Sequence, residues 1–192
     1  MKKSTIAKIE TAALRILEKE GPNAVSMRRI AKAVGITPMA IYHHFPNREQ
    51  LLRKITDREF EKLAEYMDTR RSETATTESR LLGIMDYYID YAFKRPRIFD
   101  YVFSEHRKDA RRFPDDFHAR RSPTMNRVAD TVADTMSAGE IRQDDLWEVA
   151  MELWALVHGY VALYRAGRFA LSEKQFRELC RRAVERLING LG

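Results

Sequence analysis

The stretch at residues 26–48, SMRRIAKAVGITPMAIYHHFPNR, predicts two short helices joined by a tight turn. Ser26 is a preferred N-cap residue, and Gly35 can adopt the left-handed conformation that ends a helix. Thr37 is a second N-cap residue, and Pro38 then falls at the first helical position, where its missing amide costs nothing. This order of caps and stops is typical of a helix-turn-helix, the unit that places a recognition helix in the major groove of DNA.

The first of the two predicted helices has the properties of an anion-binding helix start. Its third position is Arg29, so no acidic side chain competes for the free amides that follow Ser26. The guanidinium of Arg28, on the same turn, can contact a phosphate or form a bidentate pair with a guanine edge. We therefore expect DNA to approach this helix at its N-terminus.

The second predicted helix has one apolar anchor face and one groove face. Ile41 and Phe45 hold the helix to a small core that it shares with Ile30, Ala31 and Val34. The tripeptide at positions 38–40 offers methyl and methylene surface that suits thymine methyl groups but carries little hydrogen-bond information. Base discrimination is then expected from three residues together with DNA shape: Arg28, Thr37 and His43.

This segment resembles the DNA-binding domain of the tetracycline-repressor (TetR) family of bacterial transcription regulators. The residues that carry the resemblance are the pair Ile30-Ala31, the turn Val34-Gly35-Ile36-Thr37 and the block IYHHFPNREQLL at 41–52. The resemblance implies base-reading positions for six residues: Arg28, Thr37, Pro38, Met39, Ala40 and His43. It implies phosphate-anchoring positions for four others: Ser26, Tyr42, His44 and Arg48.

Two alternatives remain open in this segment. Tyr42 could be a core aromatic whose hydroxyl reaches water. His43 and His44 could suggest a metal site, although adjacent residues on a helix point about 100° apart and rarely bind one ion. We predict no metal and no cofactor.

The composition fits a globular helical protein of 192 residues, in one large domain or two small ones. A single cysteine, Cys180, excludes an internal disulfide framework and fits a reducing cytosol. The N-terminus lacks the apolar region of a signal peptide. The longest apolar run, at 149–164, is shorter than the roughly twenty residues of a membrane span and contains Glu152 and His158. We expect a cytoplasmic, nucleoid-associated bacterial protein with no membrane partner.

The net charge of +6 is concentrated near the N-terminus. Residues 1–60 contain twelve Lys or Arg and six Asp or Glu, whereas residues 61–192 contain 22 of each. Because phosphate affinity follows local positive charge, this distribution predicts that a polyanion binds at the N-terminal end.

Periodicity predicts an all-α fold, with no strand pattern that persists. Beyond the two short helices, the predicted helices cover residues 4–20, 47–69, 81–93, 96–103, 124–136, 144–165 and 172–191. Polar residues 71–79 predict a linker, and the charged run at 105–123 a loop or a marginal helix. The expected domains are a three-helix helix-turn-helix DNA-binding domain (1–48), a connecting helix (49–70) and a helical ligand-binding and dimerisation bundle (71–192).

The C-terminal part is expected to dimerise and to bind a small molecule. The sequence Trp154-Ala155-Leu156-Val157-His158-Gly159 resembles a Trp/His-Gly (WHG) C-terminal domain of some TetR-like regulators. Dimerisation through the last two long helices and an effector pocket follow from the family resemblance, and a two-fold pair of heads also suits a palindromic operator. The pocket candidates are mostly aromatic, and each could instead belong to the core: Tyr88, Tyr91, Phe99, Phe103, Met125, Trp154 and His158.

Taken together, the sequence predicts a non-enzymatic, homodimeric, sequence-specific regulator that binds double-stranded DNA and responds to a small apolar or aromatic ligand, as a repressor. No phosphate-binding Gly loop, nucleophile–base order or Cys-rich metal pattern supports catalysis. The alternative is an orphan DNA-binding protein with a filled C-terminal core and no small-molecule effector.

Overall fold

The computed structural model describes residues 4–68, 77–104 and 106–190, and every regular element in these residues is helical. The α-helices are α1 (Thr5–Glu20), α2 (Met27–Val34), α3 (Pro38–Tyr42), α4 (Arg48–Asp68), α5 (Thr77–Lys94), α6 (Pro96–Phe99), α7 (Asp115–His118), α8 (Pro123–Ser137), α9 (Leu146–Arg165) and α10 (Glu173–Gly190). A 3₁₀ turn (Pro22–Ala24) follows α1, and a π-helical turn (Asp100–Ser104) follows α6. The predicted all-α fold is confirmed.

Side-chain caps and one glycine mark several helix boundaries. The Ser4 hydroxyl accepts the Ala7 amide at 3.3 Å, and α1 ends where Gly21 takes a φ of 84°. At the start of α4, the Asn47 side chain accepts the Gln50 amide at 2.8 Å. Asp145 caps α9 by accepting the amides of two residues in its first turn. These side chains satisfy backbone donors that a helix start otherwise leaves unpaired.

The predicted linker at 71–79 is too long by at least three residues. Helix α5 begins at Thr77 rather than at position 81, and residues 71–76 lie outside the described residues. A polar first turn can remain solvated while the buried face starts at Leu81, so polarity alone does not mark a loop. In the charged run at 105–123, the helical structure within the described residues is the short helix α7 and the first residue of α8, Pro123.

The chain forms two compact units. The head unit consists of Met1–Glu59 and Tyr91–Ala110, and the body unit consists of Phe60–Asp90 and Arg111–Gly192. By packing, residues 91–110 therefore group with the N-terminal helices. The partition into 1–48, 49–70 and 71–192 is a functional one and stays a prediction.

Within the head unit, α6 is held to α1 by buried apolar side chains and by two arginines. Ile98 and Phe99 are almost completely buried. Arg95 pairs with Glu18 of α1 at 3.1 Å and also with the buried carboxylate of Glu59, and Arg97 donates to the Lys19 carbonyl. Because charged residues spaced along the chain give no periodic signal, sequence reasoning did not detect this attachment.

Within the body unit, α9 packs against both α8 and α10. The ring of Phe176 on α10 is fully buried and lies 4.2 Å, centroid to centroid, from the ring of Tyr164 on α9. On α10, Arg177 binds Asp90 of α5 at 2.6 Å. This packing buries one side of α9 and leaves residues on its other side exposed.

Candidate nucleic-acid interface

The turn between α2 and α3 has the predicted cap at each junction. The Ser26 hydroxyl accepts the Arg29 amide at 3.3 Å, and the Thr37 hydroxyl accepts the Ala40 amide at 3.2 Å. Gly35 has φ 76° and ψ 37°, a left-handed conformation in which a side chain is strained. These contacts fix where α3 begins and therefore which of its side chains face outward.

Helix α3 separates its anchor face from its outward face. Ile41 is fully buried and Phe45 is 7 % exposed, whereas Met39 is 67 % exposed and Tyr42 46 % exposed. An exposure of this size excludes the core interpretation of Tyr42. The other outward residues are exposed or half-buried: Thr37, Pro38, Ala40, His43 and His44. All the residues predicted to read or anchor DNA on α3 therefore lie on a surface that a ligand can reach.

Two consecutive arginines on α2 differ in their contacts. Arg29 binds Glu20 at 2.6 Å and also donates to the Ala24 carbonyl at 3.2 Å. The hydrogen bond from Arg29 lowers the pKa of Glu20, and the same contact raises the pKa of Arg29. Arg28 is exposed, and within the described residues its side chain makes no hydrogen bond or ion pair. Arg28 is thus available to a ligand, whereas Arg29 ties α2 to α1.

Arg48, predicted to anchor a phosphate, is used within the protein. Its Nε donates to the Val25 carbonyl at 2.8 Å, and its Nη2 donates to the Pro22 carbonyl. The side chain therefore clamps the start of α4 to the connection that precedes Ser26. The phosphate role of Arg48 stays a prediction. Its Nη1 is the guanidinium nitrogen that these two hydrogen bonds do not use.

The seven predicted ligand residues are divided between the two units. Tyr91, Phe99 and Phe103 lie in the head unit, where the rings of Phe99 and Phe103 are 5.1 Å apart. Four residues lie in the body unit: Tyr88, Met125, Trp154 and His158. Their grouping around one cavity stays a prediction.

A hydrogen-bonded aromatic cluster lies inside the body unit. The Tyr88 hydroxyl and His158 Nδ1 are 2.7 Å apart, and the Trp154 and His158 rings stack with centroids 5.2 Å apart. Burial raises the pKa of Tyr88 and lowers that of His158, because both charged forms lose solvation. The cluster therefore combines apolar surface with two polar tips that stay neutral at neutral pH.

Sequence reasoning missed a basic cleft in the head unit. The cleft is lined by the start of α4 and by residues 106–109, among them Arg107 and Lys108. The charged run at 105–123 was a signal, but its position in the fold could not be read from the sequence.

Within the described residues, no group of three His, Cys, Asp or Glu is placed to hold a metal ion, and no helix is long and apolar enough to cross a membrane.

Fold and site together define an all-helical protein with an N-terminal helix-turn-helix and a helical C-terminal body. The model of the family described as bacterial regulatory proteins, tetR family, matches residues 9–55, and the model described as tetracyclin repressor-like, C-terminal domain, matches residues 81–187. The chain belongs to the tetR family of bacterial regulatory proteins. The finer WHG subtype stays a prediction.

Known proteins similar to this chain agree with that assignment. The nucleoid occlusion factor SlmA of Actinobacillus pleuropneumoniae serotype 5b is 26% identical over 103 residues, which cover 51% of this chain and 51% of SlmA. The transposon Tn10 TetC protein of Escherichia coli is 30% identical over 89 residues, which cover 46% of this chain and 45% of TetC. The chain thus matches about half the length of these curated relatives.

Solved structures show the same fold over almost the whole chain. A protein of unknown function from Rhodococcus sp. RHA1 has a TM-score of 0.83 and 21% identity, with 99% of this chain and 96% of that chain covered. The transcriptional regulator FadR of Bacillus subtilis, in complex with stearoyl-CoA, has a TM-score of 0.75 and 17% identity, with 97% and 99% covered. At these identities the likeness establishes the fold alone.

Proposed function

We propose that this protein is a sequence-specific DNA-binding transcription regulator, acting as a homodimer and released from its operator by a small-molecule effector, as a repressor. The observation that carries the proposal is the outward face of α3, where exposed Met39 and Tyr42 lie opposite fully buried Ile41. The unengaged Arg28 on α2 and the net charge of +6 in residues 1–60 support the same ligand, a DNA duplex.

The exposed residues suit two different kinds of DNA contact. Hydrogen-bonding readout of bases falls to Arg28, Thr37 and His43, and the apolar surface at 38–40 fits thymine methyl groups. Four residues are proposed as phosphate anchors, which set register rather than sequence: Ser26, Tyr42, His44 and Arg48. At Ser26 the phosphate would accept hydrogen bonds from the unpaired backbone amides at the start of α2, the helix that Ser26 caps.

The homodimer is supported by the exposed side of α9. Ala155, Gly159 and Ala162 recur at spacings of three or four, so they share one face, and Leu163 beside them is 49 % exposed. Small side chains permit close approach of a second helix. A two-fold pair of heads would read half-sites about 34–36 Å apart on a palindromic operator.

The effector site is proposed at the Tyr88–Trp154–His158 cluster, with Met125 among the candidate residues. Its aromatic faces suit an apolar or aromatic ligand, and the Tyr88 hydroxyl and His158 ring offer hydrogen bonds. The structural neighbour FadR of Bacillus subtilis carries stearoyl-CoA, which supports a ligand-binding use of this fold. Effector binding would favour a conformation whose heads no longer fit the half-site spacing.

One observation favours the alternative, an orphan regulator without an effector. Tyr88 and Met125 are each only 5 % exposed, as in a filled core. Thermal melts against a metabolite panel that includes acyl-CoA compounds distinguish the two, because a ligand of the folded state raises the Tm. A ligand that raises the Tm and also releases DNA supports the regulator with an effector. If no compound in the panel does both, the orphan regulator is favoured. Either protein works at the nucleoid in the cytoplasm and needs no catalysis.

The DNA-binding proposal is tested by placing a negative charge on the outward face of α3. Met39→Glu should abolish binding to a duplex that the wild-type protein selects, because a carboxylate there repels the phosphates and bases. Phe113→Glu is the control, since Phe113 is an exposed apolar residue of the body unit, at 42 % exposure. Equal binding by both variants in an anisotropy titration would overturn the proposed interface.

A further inference from the structure

A cleft of about 500 Å³ lies in the head unit, between the first turns of α4 and residues 106–109. We propose that this cleft is a second anion site, one that binds a phosphate group. Most of its lining lies outside the helix-turn-helix stretch at 26–48, which contributes only Asn47 and Arg48. If the phosphate belongs to DNA, the proposal rests on the proposed function; if the phosphate is free, it does not.

Positive charge predominates around the cleft. Its lining contains four Arg or Lys residues, and these come from two segments far apart in sequence: Arg48, Arg53, Arg107 and Lys108. The two carboxylates of the lining, Glu49 and Asp109, leave an excess of two positive charges. A concave site with walls of lower dielectric concentrates such a field and raises the local concentration of anions.

Arg107 is the buried charge of the cleft. Its side chain is 9 % exposed, its Nη1 donates to the Thr56 hydroxyl at 2.7 Å, and its guanidinium lies 5.3 Å from the centre of the Tyr101 ring. Among the described residues its Nε has no hydrogen-bond partner, and the nearest carboxylate oxygen, on Asp109, is 3.8 Å away. Asp109 thus forms only a long ion pair with this buried guanidinium, and a bound anion would supply the acceptor that Nε lacks.

The rim of the cleft provides two exposed cations in addition to the buried guanidinium of Arg107. Arg53 and Lys108 are exposed, so their long side chains can close on a bound group. Arg48 is held by the Pro22 and Val25 carbonyls and fixes the wall next to Pro22. Several cationic donors around one centre match the oxygens of a phosphate, which accepts hydrogen bonds in more directions than a carboxylate.

Two sources can supply this phosphate. One is a backbone phosphate of the DNA that α3 binds, which would add a contact outside the groove. The other is a free phosphate, which would occupy the cleft without DNA. The chemistry of recognition is shared, so only measurements with each source separately assign the site.

The DNA source is tested with Arg53→Gln and Lys108→Gln, each on the exposed rim. The matched control is Lys54→Gln, because Lys54 is an exposed cation next to Arg53 that does not line the cleft. If a DNA phosphate occupies the cleft, the slope of log Kobs against log salt should become shallower by about 0.9 for each phosphate that the variant no longer neutralises. Lys54→Gln should keep the wild-type slope.

Binding of free phosphate is tested by comparing the Tm in inorganic phosphate with the Tm in chloride at the same ionic strength. A rise in the wild-type protein and in Lys54→Gln that is absent in both rim variants assigns the cleft to free phosphate. Unchanged slopes together with no phosphate-dependent Tm overturn the site, even where wild-type DNA binding persists. If the wild-type protein binds no DNA, the proposed function fails and the Tm measurement alone decides the cleft.

Discussion

Cations in neighbouring positions of this head unit have different roles. Arg28 and Arg29 are adjacent on α2, yet one is unengaged and the other binds both Glu20 and a backbone carbonyl. Arg48 likewise uses two nitrogens to hold backbone carbonyls. Net charge therefore overstates the number of side chains available to DNA, and the contacts of each residue decide which ones are.

Arg28→Ala should relax base preference at one operator position. A bidentate arginine–guanine pair contributes about 1–3 kcal/mol of discrimination, which the truncated side chain cannot supply. Binding to a panel of single-base operator variants measures this loss, and Arg29→Ala serves as the control because it should affect the Tm more than base preference. An equal loss of affinity on all sequences would mean that Arg28 is a phosphate clamp.

Arg48→Lys should destabilise the protein although the charge is retained. A lysine ammonium cannot bond to the Val25 and Pro22 carbonyls in the forked geometry of a guanidinium. The expected loss is about 1–2 kcal/mol in the free energy of unfolding, measured with denaturant. Wild-type stability of Arg48→Lys would contradict the clamp, and weakened DNA binding in the same variant would leave Arg48 with the phosphate role alone.

Acid should destabilise the body unit through His158. Burial lowers the folded-state pKa of His158 below its ordinary value of 6.5, so the unfolded chain binds a proton that the folded chain resists. Stability should therefore fall as the pH drops below 6.5, down to the folded-state pKa. His158→Gln should flatten the decrease in Tm between about pH 7.5 and about pH 5.5, and exposed His43→Gln should not. Parallel pH profiles for both variants would contradict this role for His158.

At the scale of elements, local chemistry determined what could be predicted. The caps at Ser26 and Thr37 and the left-handed Gly35 were readable because each acts through its nearest neighbours in sequence. Burial of Ile41 followed from periodicity. The start of α5 was not readable, because residues 77–80 are polar and a polar first turn resembles a linker in composition.

Gly159→Leu should disrupt the proposed dimer and leave the monomer folded. A Cβ at Gly159 meets nothing within 4 Å, so a side chain can begin there without a clash in one chain, whereas a leucine would separate two packed α9 helices. An overpacked interface costs about 1–3 kcal/mol, which raises the dimer Kd by about fivefold to about 150-fold. Sedimentation measures the Kd, with Gly83→Leu as the control because that helical glycine is also open. A dimer Kd unchanged by Gly159→Leu would place the interface elsewhere.

At the scale of the whole molecule, the missing information was tertiary. Charge asymmetry predicts a polyanion-binding site in the N-terminal segment, and that stays a prediction. The attachment of residues 91–110 to the head unit depends on Arg95, which contacts α1 and α4, on Arg97, which contacts α1, and on buried Ile98. Such contacts join positions far apart in sequence and leave no periodic trace. For the same reason the cleft around Arg107 could not be predicted, although its charged residues were visible.

The most direct test of the central claim is selection of bound duplexes from a random DNA library by the purified protein at two salt concentrations. A sequence-specific homodimer predicts a palindromic consensus whose half-site centres lie about one helical turn apart and which persists at the higher salt. Enrichment of no consensus, with binding that falls steeply as salt rises, would contradict the account and leave a nonspecific electrostatic DNA binder.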